Sequence, residues 1–363
     1  VEGKLQDLAM GPVAALEAIK HLGTNGGGFF GANSATPFEN PTVISNIVEM
    51  ISMMLLPGSC VVTFGLMLHD RKDGKKPLFG RQGAVIFGAM AIIFLIGLAV
   101  CFSAERAGNP VVGSMGLSQD MGSMEGKETR FGMEQSALFT TVTTSFTTGT
   151  VNNMHDSLTP LGGLVPLLHM MLNCVFGGKG VGLMNMVMYV ILAVFICGLM
   201  VGRTPEYLNK KIEGKEMKLV AIVILIHPLL ILGFSALAVS VQGGLSGITN
   251  PGFHGLTQVL YEYASSAANN GSGFEGLADN SLFWNVTTGL AMFFGRYLAI
   301  AAQLAVAGSM LAKRRVNESV GTLRTDNTTF MIVLVFIVYI FAALTFFPAL
   351  ALGPVAEHLS LWM

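Results

Sequence analysis

The sequence has 363 residues, of which 52% are hydrophobic and only 12% are charged, and its mean hydropathy is +0.61. Soluble domains carry about a quarter charged residues, so a chain of this composition would expose too much apolar surface in water. The formal net charge of −1 argues against a nucleic-acid-binding protein, which needs a basic surface. These values together indicate a membrane protein.

Six apolar stretches are long enough to cross the hydrocarbon core of a bilayer as helices, which takes about 20 residues. They cover 43–67, 83–103, 160–201, 218–241, 282–312 and 329–353. The third stretch is too long for one straight crossing, and four glycines and a lysine interrupt it within 173–182. We therefore predict an all-α membrane protein whose third span is a broken helix.

Basic residues concentrate in alternate loops, and this pattern predicts an orientation. The basic loops are 69–81, 203–218 and 313–324. By the positive-inside rule these loops are expected to be cytoplasmic. The C-terminus and the remaining loops would then lie outside, and those loops are 1–42, 104–159 and 242–281.

Each of the outer loops ends in the same kind of element. A moderately apolar stretch of about 12 residues comes first, at 12–22, 134–146 and 256–267. A helix of that length is about 18 Å long, which is too short to span a membrane but suits a re-entrant helix. A run of Thr, Asn, Ser and Gly residues follows it, and then a spanning stretch begins.

One glycine from each run marks a regular repeat, because Gly149 lies 123 residues after Gly26 and Gly271 lies 122 residues after Gly149. Such a period predicts repeated units of span, re-entrant helix, glycine-rich loop and span. The predicted divisions are 1–82 (second half of a unit), 83–217 and 218–327 (complete units), and 328–363 (an extra C-terminal helix). Because no span precedes 12–22 and residue 1 is valine, we expect the N-terminal part of the protein to be missing.

The three glycine-rich runs have the composition of a potassium selectivity filter. Potassium is recognised when backbone carbonyls replace its water, and glycine permits the backbone angles that this requires. One such run more simply caps a helix, but three at equal spacing favour filters. We call the candidates filter loop A (Thr24, Asn25, Gly26, Gly27 and Gly28), loop B (Thr147, Thr148, Gly149 and Thr150) and loop C (Asn269, Asn270, Gly271, Ser272 and Gly273).

At these residues the sequence resembles a known family. Segments 24–42, 147–163 and 267–276 closely resemble the second, third and fourth filters of KdpA, the potassium-binding subunits of bacterial Kdp potassium-transporting ATPases. The resemblance covers the whole chain. It implies four filter units of the potassium channel and transporter superfamily around one pore, so the three units here would not transport alone.

The resemblance also implies a division of labour within a P-type pump of the bacterial cytoplasmic membrane. Potassium is the transported substrate, no organic cofactor is expected, and a KdpB-like partner hydrolyses ATP beside KdpC-like and KdpF-like subunits. The chain itself would be non-catalytic, and it has no Asp-Lys-Thr-Gly phosphorylation motif. A stand-alone potassium channel or ion-coupled symporter of the same superfamily is the alternative, while a membrane-embedded enzyme is disfavoured because no nucleophile and base share a motif.

Polar residues inside predicted spans suggest further functional positions. We interpret Gly177, Gly178, Lys179 and Gly180 as a gate candidate below loop B, the alternative being a kinked helix with a lysine that reaches the membrane surface. Arg296 lies in the middle of the fifth span, where a charge is costly. We expect Arg296 to pair with a carboxylate, for which Glu49 is a plausible partner, or with carbonyls near the filter, either tuning ion entry or bracing helices. The scattered histidines predict no transition-metal site.

Overall fold

The computed structural model describes residues 11–68, 79–316 and 322–363. In chain order its helices are α1 (Val13–Leu22), α2 (Val43–Met67), α3 (Arg81–Ala107), α4 (Pro110–Ser114), α5 (Gly132–Ser145), α6 (Pro160–Leu172), α7 (Val181–Val201), α8 (Gly214–Ser240), α9 (Gln242–Leu245), α10 (Phe253–Ala268), α11 (Leu282–Ala312), α12 (Thr328–Leu350) and α13 (Ala356–Trp362). Strands β1 (Glu206–Tyr207) and β2 (Lys210–Lys211) form one antiparallel hairpin. This confirms the predicted all-α membrane fold class. Part of the first basic loop predicted to be cytoplasmic, residues 69–78, lies outside the described residues.

Six helices in the described part of the chain are long and apolar enough to cross a membrane, namely α2, α3, α7, α8, α11 and α12. Polar side chains begin several of them: Thr42, Ser281 and Asn327 each accept a hydrogen bond from a backbone N–H in the first turn. Their outward faces are apolar, as shown by Leu229 and Leu344, which are 73% and 76% exposed. Such faces suit contact with lipid, whose acyl chains are as apolar as leucine.

The predicted third span is two helices separated by the segment 173–180, which we call the break. Asn173 ends α6 in the left-handed conformation (φ 44°), and Gly180 precedes α7 with φ 100°. The broken helix is therefore confirmed, but 160–201 is not one crossing: α6 has 13 residues and only α7 is long enough to span. Left-handed backbone also at Gly177 and Gly178 explains why no helix continues through the break.

The three short helices α1, α5 and α10 occupy the predicted re-entrant positions. Helix α5 packs against α3 and α6, while α10 packs against α6, α8 and α11, and α1 packs against α2. Each short helix therefore packs against at least one spanning helix. An apolar cluster packs α10 against α6, and it includes Leu167, Met170 and Ala264.

A buried ion pair lies at the C-terminal end of α3. The pair joins Lys127 Nζ to Glu105 Oε2 at 2.7 Å, and Glu105 Oε1 accepts the Thr159 N–H at the start of α6.

The chain after α12 continues in further elements. It forms a π turn at Ala351–Val355 and then α13, which contacts α6 and α10.

Candidate ion-selectivity site

The first three residues of each filter loop share one pattern of backbone φ angles. In each loop the first and third residues are left-handed, and the residue between them is not. The positive φ values are 47° and 65° at Thr24 and Gly26, 51° and 94° at Thr147 and Gly149, and 57° and 104° at Asn269 and Gly271. The third residue of every loop is a glycine, which adopts a positive φ without the penalty that a Cβ imposes.

The loops leave their short helices through equivalent hydrogen bonds. The second residue of each loop donates its N–H to the carbonyl five residues earlier, from Asn25 to Lys20 (2.9 Å), from Thr148 to Thr143 (2.8 Å) and from Asn270 to Ser265 (2.9 Å). The Gly149 and Gly271 N–H groups donate to the hydroxyls of the same Thr143 and Ser265. The three backbone acceptors are Lys20, Thr143 and Ser265, which lie 123 (143 − 20) and 122 (265 − 143) residues apart. The sequence period therefore recurs in the hydrogen bonds.

The backbone of loop A meets that of loop B, and the backbone of loop B meets that of loop C. A Cβ on Gly26 of loop A would overlap the carbonyl oxygen of Thr148 in loop B, and a Cβ on Gly149 would overlap the carbonyl oxygen of Asn270 in loop C. At Gly271 no atom of the described residues lies within 4 Å of that position. Loop B therefore sits between A and C, and glycine is required where two backbones touch.

Buried polar side chains brace the segments that follow loops A and B. Asn46 of α2 accepts hydrogen bonds from the side-chain amides of Asn40 and Asn152 and donates to Gln135 at the start of α5. Ser34 Oγ donates to the carbonyl of Gly27 at 2.8 Å. Because the three partners of Asn46 come from different segments, its bonds tie the segments after loops A and B to each other and to α5.

The break lies directly against loops A and B. The N–H groups of Gly177 and Gly178 donate to the carbonyls of Ser145 (2.9 Å) and Phe146 (2.8 Å), at the C-terminal end of α5. Phe176 stacks on Phe146 with 4.6 Å between ring centroids. The side chain of Lys179, in the same segment, is exposed.

Arg296 and Glu49, which were suggested as a pair, each have another partner. Arg296 Nε donates to Asn269 Oδ1, the first residue of loop C, at 3.1 Å. Glu49 Oε2 lies 3.5 Å from His21 Nε2 on α1. The suggested Arg296–Glu49 pair is therefore wrong, and the partner of Arg296 is the side-chain amide oxygen of Asn269 within loop C.

Sequence reasoning did not single out a polar stripe on α10, which consists of His254, Gln258, Tyr261 and Ser265. All four side chains hydrogen bond toward loop C or the segment after loop B. Their spacing of four, three and four residues places them on one face of a helix. That period, on a helix preceding a filter loop, is the signal that could have identified them.

The comparisons with known proteins identify the family of the chain. A family model described as the potassium-transporting ATPase A subunit, KdpA, matches residues 1–359. The chain belongs to this family. With six candidate spans in its described part, this KdpA-family chain is a multi-pass membrane protein.

Two relatives define how much of the family's length the chain covers. It is 62% identical to the potassium-transporting ATPase potassium-binding subunit of Clostridium acetobutylicum and 58% identical to that of Geobacillus kaustophilus. Each match covers 99% of this chain and 63% of the relative. The chain thus spans less than two thirds of the length of these relatives.

Proposed function

We propose that the chain selectively binds and translocates potassium as the channel-like subunit of an ATP-driven potassium uptake pump. The observation that supports this most directly is the shared conformation of loops A, B and C, which meet backbone to backbone in one order. The relatives are named as potassium-binding subunits of a potassium-transporting ATPase. Neutral backbone oxygens on a glycine-rich loop suit a desolvated potassium ion.

A fourth filter unit would complete the ring in this proposal. Gly26 packs on Thr148 and Gly149 on Asn270, so a fourth loop following the same order would pack between Gly271 and Asn25. The units would be the divisions 1–82, 83–217 and 218–327, with 328–363 as an additional helix. Ions would be selected in the ring of loops before they enter the membrane interior.

The break supplies the gate in this proposal. The N–H groups of Gly177 and Gly178 donate to carbonyls at the end of α5, immediately before loop B. A conformational change in the break would therefore act on loop B directly through these hydrogen bonds. The exposed Lys179 would place a repelling charge on the ion path, and Gly180 would provide the turn into α7.

Arg296 would tune ion affinity through loop C. Its hydrogen bond to Asn269 holds the left-handed residue at which loop C leaves α10. Arg296→Gln is expected to raise the KM for potassium, because that residue then loses a charged hydrogen-bond partner. An unaltered KM combined with a lowered melting temperature would favour the bracing role instead.

The pump's other functions would belong to partner subunits. We propose that ATP is hydrolysed on a KdpB-like subunit and that KdpC-like and KdpF-like subunits complete the assembly in the bacterial cytoplasmic membrane. The basic loops would face the cytoplasm, and the filter loops and the C-terminus would face outward. Potassium would be the transported ion, with no organic cofactor on this chain.

The test is potassium uptake in potassium-starved bacteria. The chain would be joined to the remaining third of a full-length relative and produced with and without the ATPase partner, while ATP or the ion gradients are depleted separately. Uptake that requires both ATP and the partner is expected. Uptake that continues without the partner and follows the membrane potential would overturn the pump and establish a channel or symporter.

A further inference from the structure

A buried chain of side-chain hydrogen bonds runs from loop C to the segment after loop B. The hydroxyl of Tyr261, on α10, lies 2.6 Å from His155 Nδ1 and 3.1 Å from Ser272 Oγ. Ser272 donates both its N–H and its hydroxyl to Asn270 Oδ1. Asn270 Nδ2 in turn donates to the carbonyl of Thr143, at the end of α5, at 3.2 Å.

The number of protons on each group fixes the direction of this chain. Because the Ser272 hydroxyl donates to an amide oxygen, it must accept the hydroxyl proton of Tyr261. The oxygen of Tyr261 must then accept the Nδ1–H of His155. Burial lowers the pKa of His155 to about 3, so its ring is neutral and carries the single proton that this direction requires. Every donor therefore points toward α5, an alignment in which hydrogen bonds reinforce one another.

The groups in the chain have little freedom to move. Tyr261 and His155 are fully buried, and Ser272 and Asn270 are each 1% exposed. The ring of Tyr261 stacks on Phe274, with 4.3 Å between centroids. A donor left without its acceptor in such a site costs its full desolvation penalty, so the surrounding backbone would shift to avoid it.

The chain ends at the contact between two filter loops. The carbonyl oxygen of Asn270 is the atom against which Gly149 of loop B packs. The side chain of the same asparagine is held by Ser272 on one side and Thr143 on the other. A shift of Asn270 would therefore change the spacing between loops B and C.

Tyr263 is a tyrosine of the same helix with a different role. It is also fully buried, but its hydroxyl lies 2.8 Å from Thr287 Oγ1 on the spanning helix α11. Its ring stacks on Trp284, also on α11. It thus braces α10 against a spanning helix, whereas Tyr261 faces the filter.

We propose that Tyr261 is a positioning residue for ion selectivity, which sets the spacing of filter loops B and C through Ser272 and Asn270. This inference rests on the proposed function, since it assigns a determinant of selectivity to the same site. The tyrosine does not contact the ion; it acts through the loop residues.

The test compares Tyr261→Phe with Tyr263→Phe in the complete ATPase complex. Each variant loses one buried hydroxyl from α10, so both are expected to lower the melting temperature to a similar extent. Only Tyr261→Phe is expected to raise the KM for potassium, by about tenfold, which is the effect of one lost hydrogen bond. Its discrimination between potassium and rubidium in ion-stimulated ATP hydrolysis should fall, while the maximal rate changes little.

Ser272→Ala keeps the test decisive if Tyr261→Phe does not assemble, because it breaks the same chain by removing one oxygen from a loop. It is expected to raise the KM in the same way. The inference is overturned if both filter-side variants keep the KM and the rubidium discrimination of the Tyr263→Phe complex. Absence of potassium stimulation in the unsubstituted complex would instead overturn the proposed function, and this inference with it.

Discussion

At the scale of single residues, the site depends on backbone positions that only glycine occupies without strain. Gly149 combines a left-handed conformation (φ 94°) with direct contact on the Asn270 carbonyl. A side chain there would meet backbone rather than a movable side chain, so loops B and C would have to separate. The glycine-rich composition is thus explained by contact as well as by conformation.

Gly149→Ala is expected to raise the KM for potassium at least about tenfold, since a left-handed alanine costs about 1–2 kcal/mol before the overlap is counted. Gly233→Ala is the matched control, because that glycine lies in α8 with no neighbour within 4 Å among the described residues. It should leave the KM unchanged. Equal KM values for the two variants, measured by potassium-stimulated ATP hydrolysis, would contradict the close contact of loops B and C.

At the scale of secondary-structure elements, the break between α6 and α7 is the feature most closely joined to a filter. Its backbone bonds to the two residues that precede loop B. The sequence predicted the break because four glycines interrupt an apolar stretch. It could not predict that Gly177 would bond to Ser145, since that contact depends on how α5 and α6 pack.

Lys179→Gln is expected to increase the maximal potassium flux several-fold while the KM changes little, because it removes a charge that repels cations near the ion path. Lys215→Gln, which changes an exposed lysine at the start of α8, serves as the control. Flux is measured as potassium-42 uptake into proteoliposomes. Equal fluxes in the two variants would argue against the gate.

At the scale of the whole molecule, local sequence signals predicted the layout but not the long-range contacts. Span positions follow from hydropathy, and the short helices follow from length and period, so α2 and α11 have the predicted bounds. Contacts between distant segments leave no local signal. His254 and Glu357 are 103 residues apart, yet their side chains lie 2.8 Å apart. The mistaken partner of Arg296 has the same origin.

His254 joins three parts of the molecule and predicts a pH dependence. It contacts Asp156 Oδ1 at 3.0 Å and Glu357 Oε1 at 2.8 Å, while Gln258 donates to the same Asp156 oxygen and Glu275 accepts the Asp156 N–H. Burial by itself lowers the pKa of His254, but the hydrogen bonds to the two carboxylates outweigh it and raise the pKa to about 9. Because the pKa is raised above the unfolded value of about 6.5, the stabilisation is complete below that pH and is lost as pH rises through about 9.

The melting temperature of the complex should therefore exceed that of His254→Gln by about 2 °C or more near pH 6.5, and the difference should shrink by pH 9.5. His358→Gln is the control, since that ring lies against Trp362. It should show no such trend. A difference between the complex and His254→Gln that stays constant across this range would contradict the charged bridge.

The proposed filter is tested most directly by locating the ion in the assembled ATPase complex. Thallium, which substitutes for potassium, can be placed by its anomalous scattering. We predict an ion on the axis between loops A, B and C, surrounded by their backbone oxygens. An ion bound elsewhere, such as beside the carboxylates Glu17 and Glu49, with none between the loops, would contradict it.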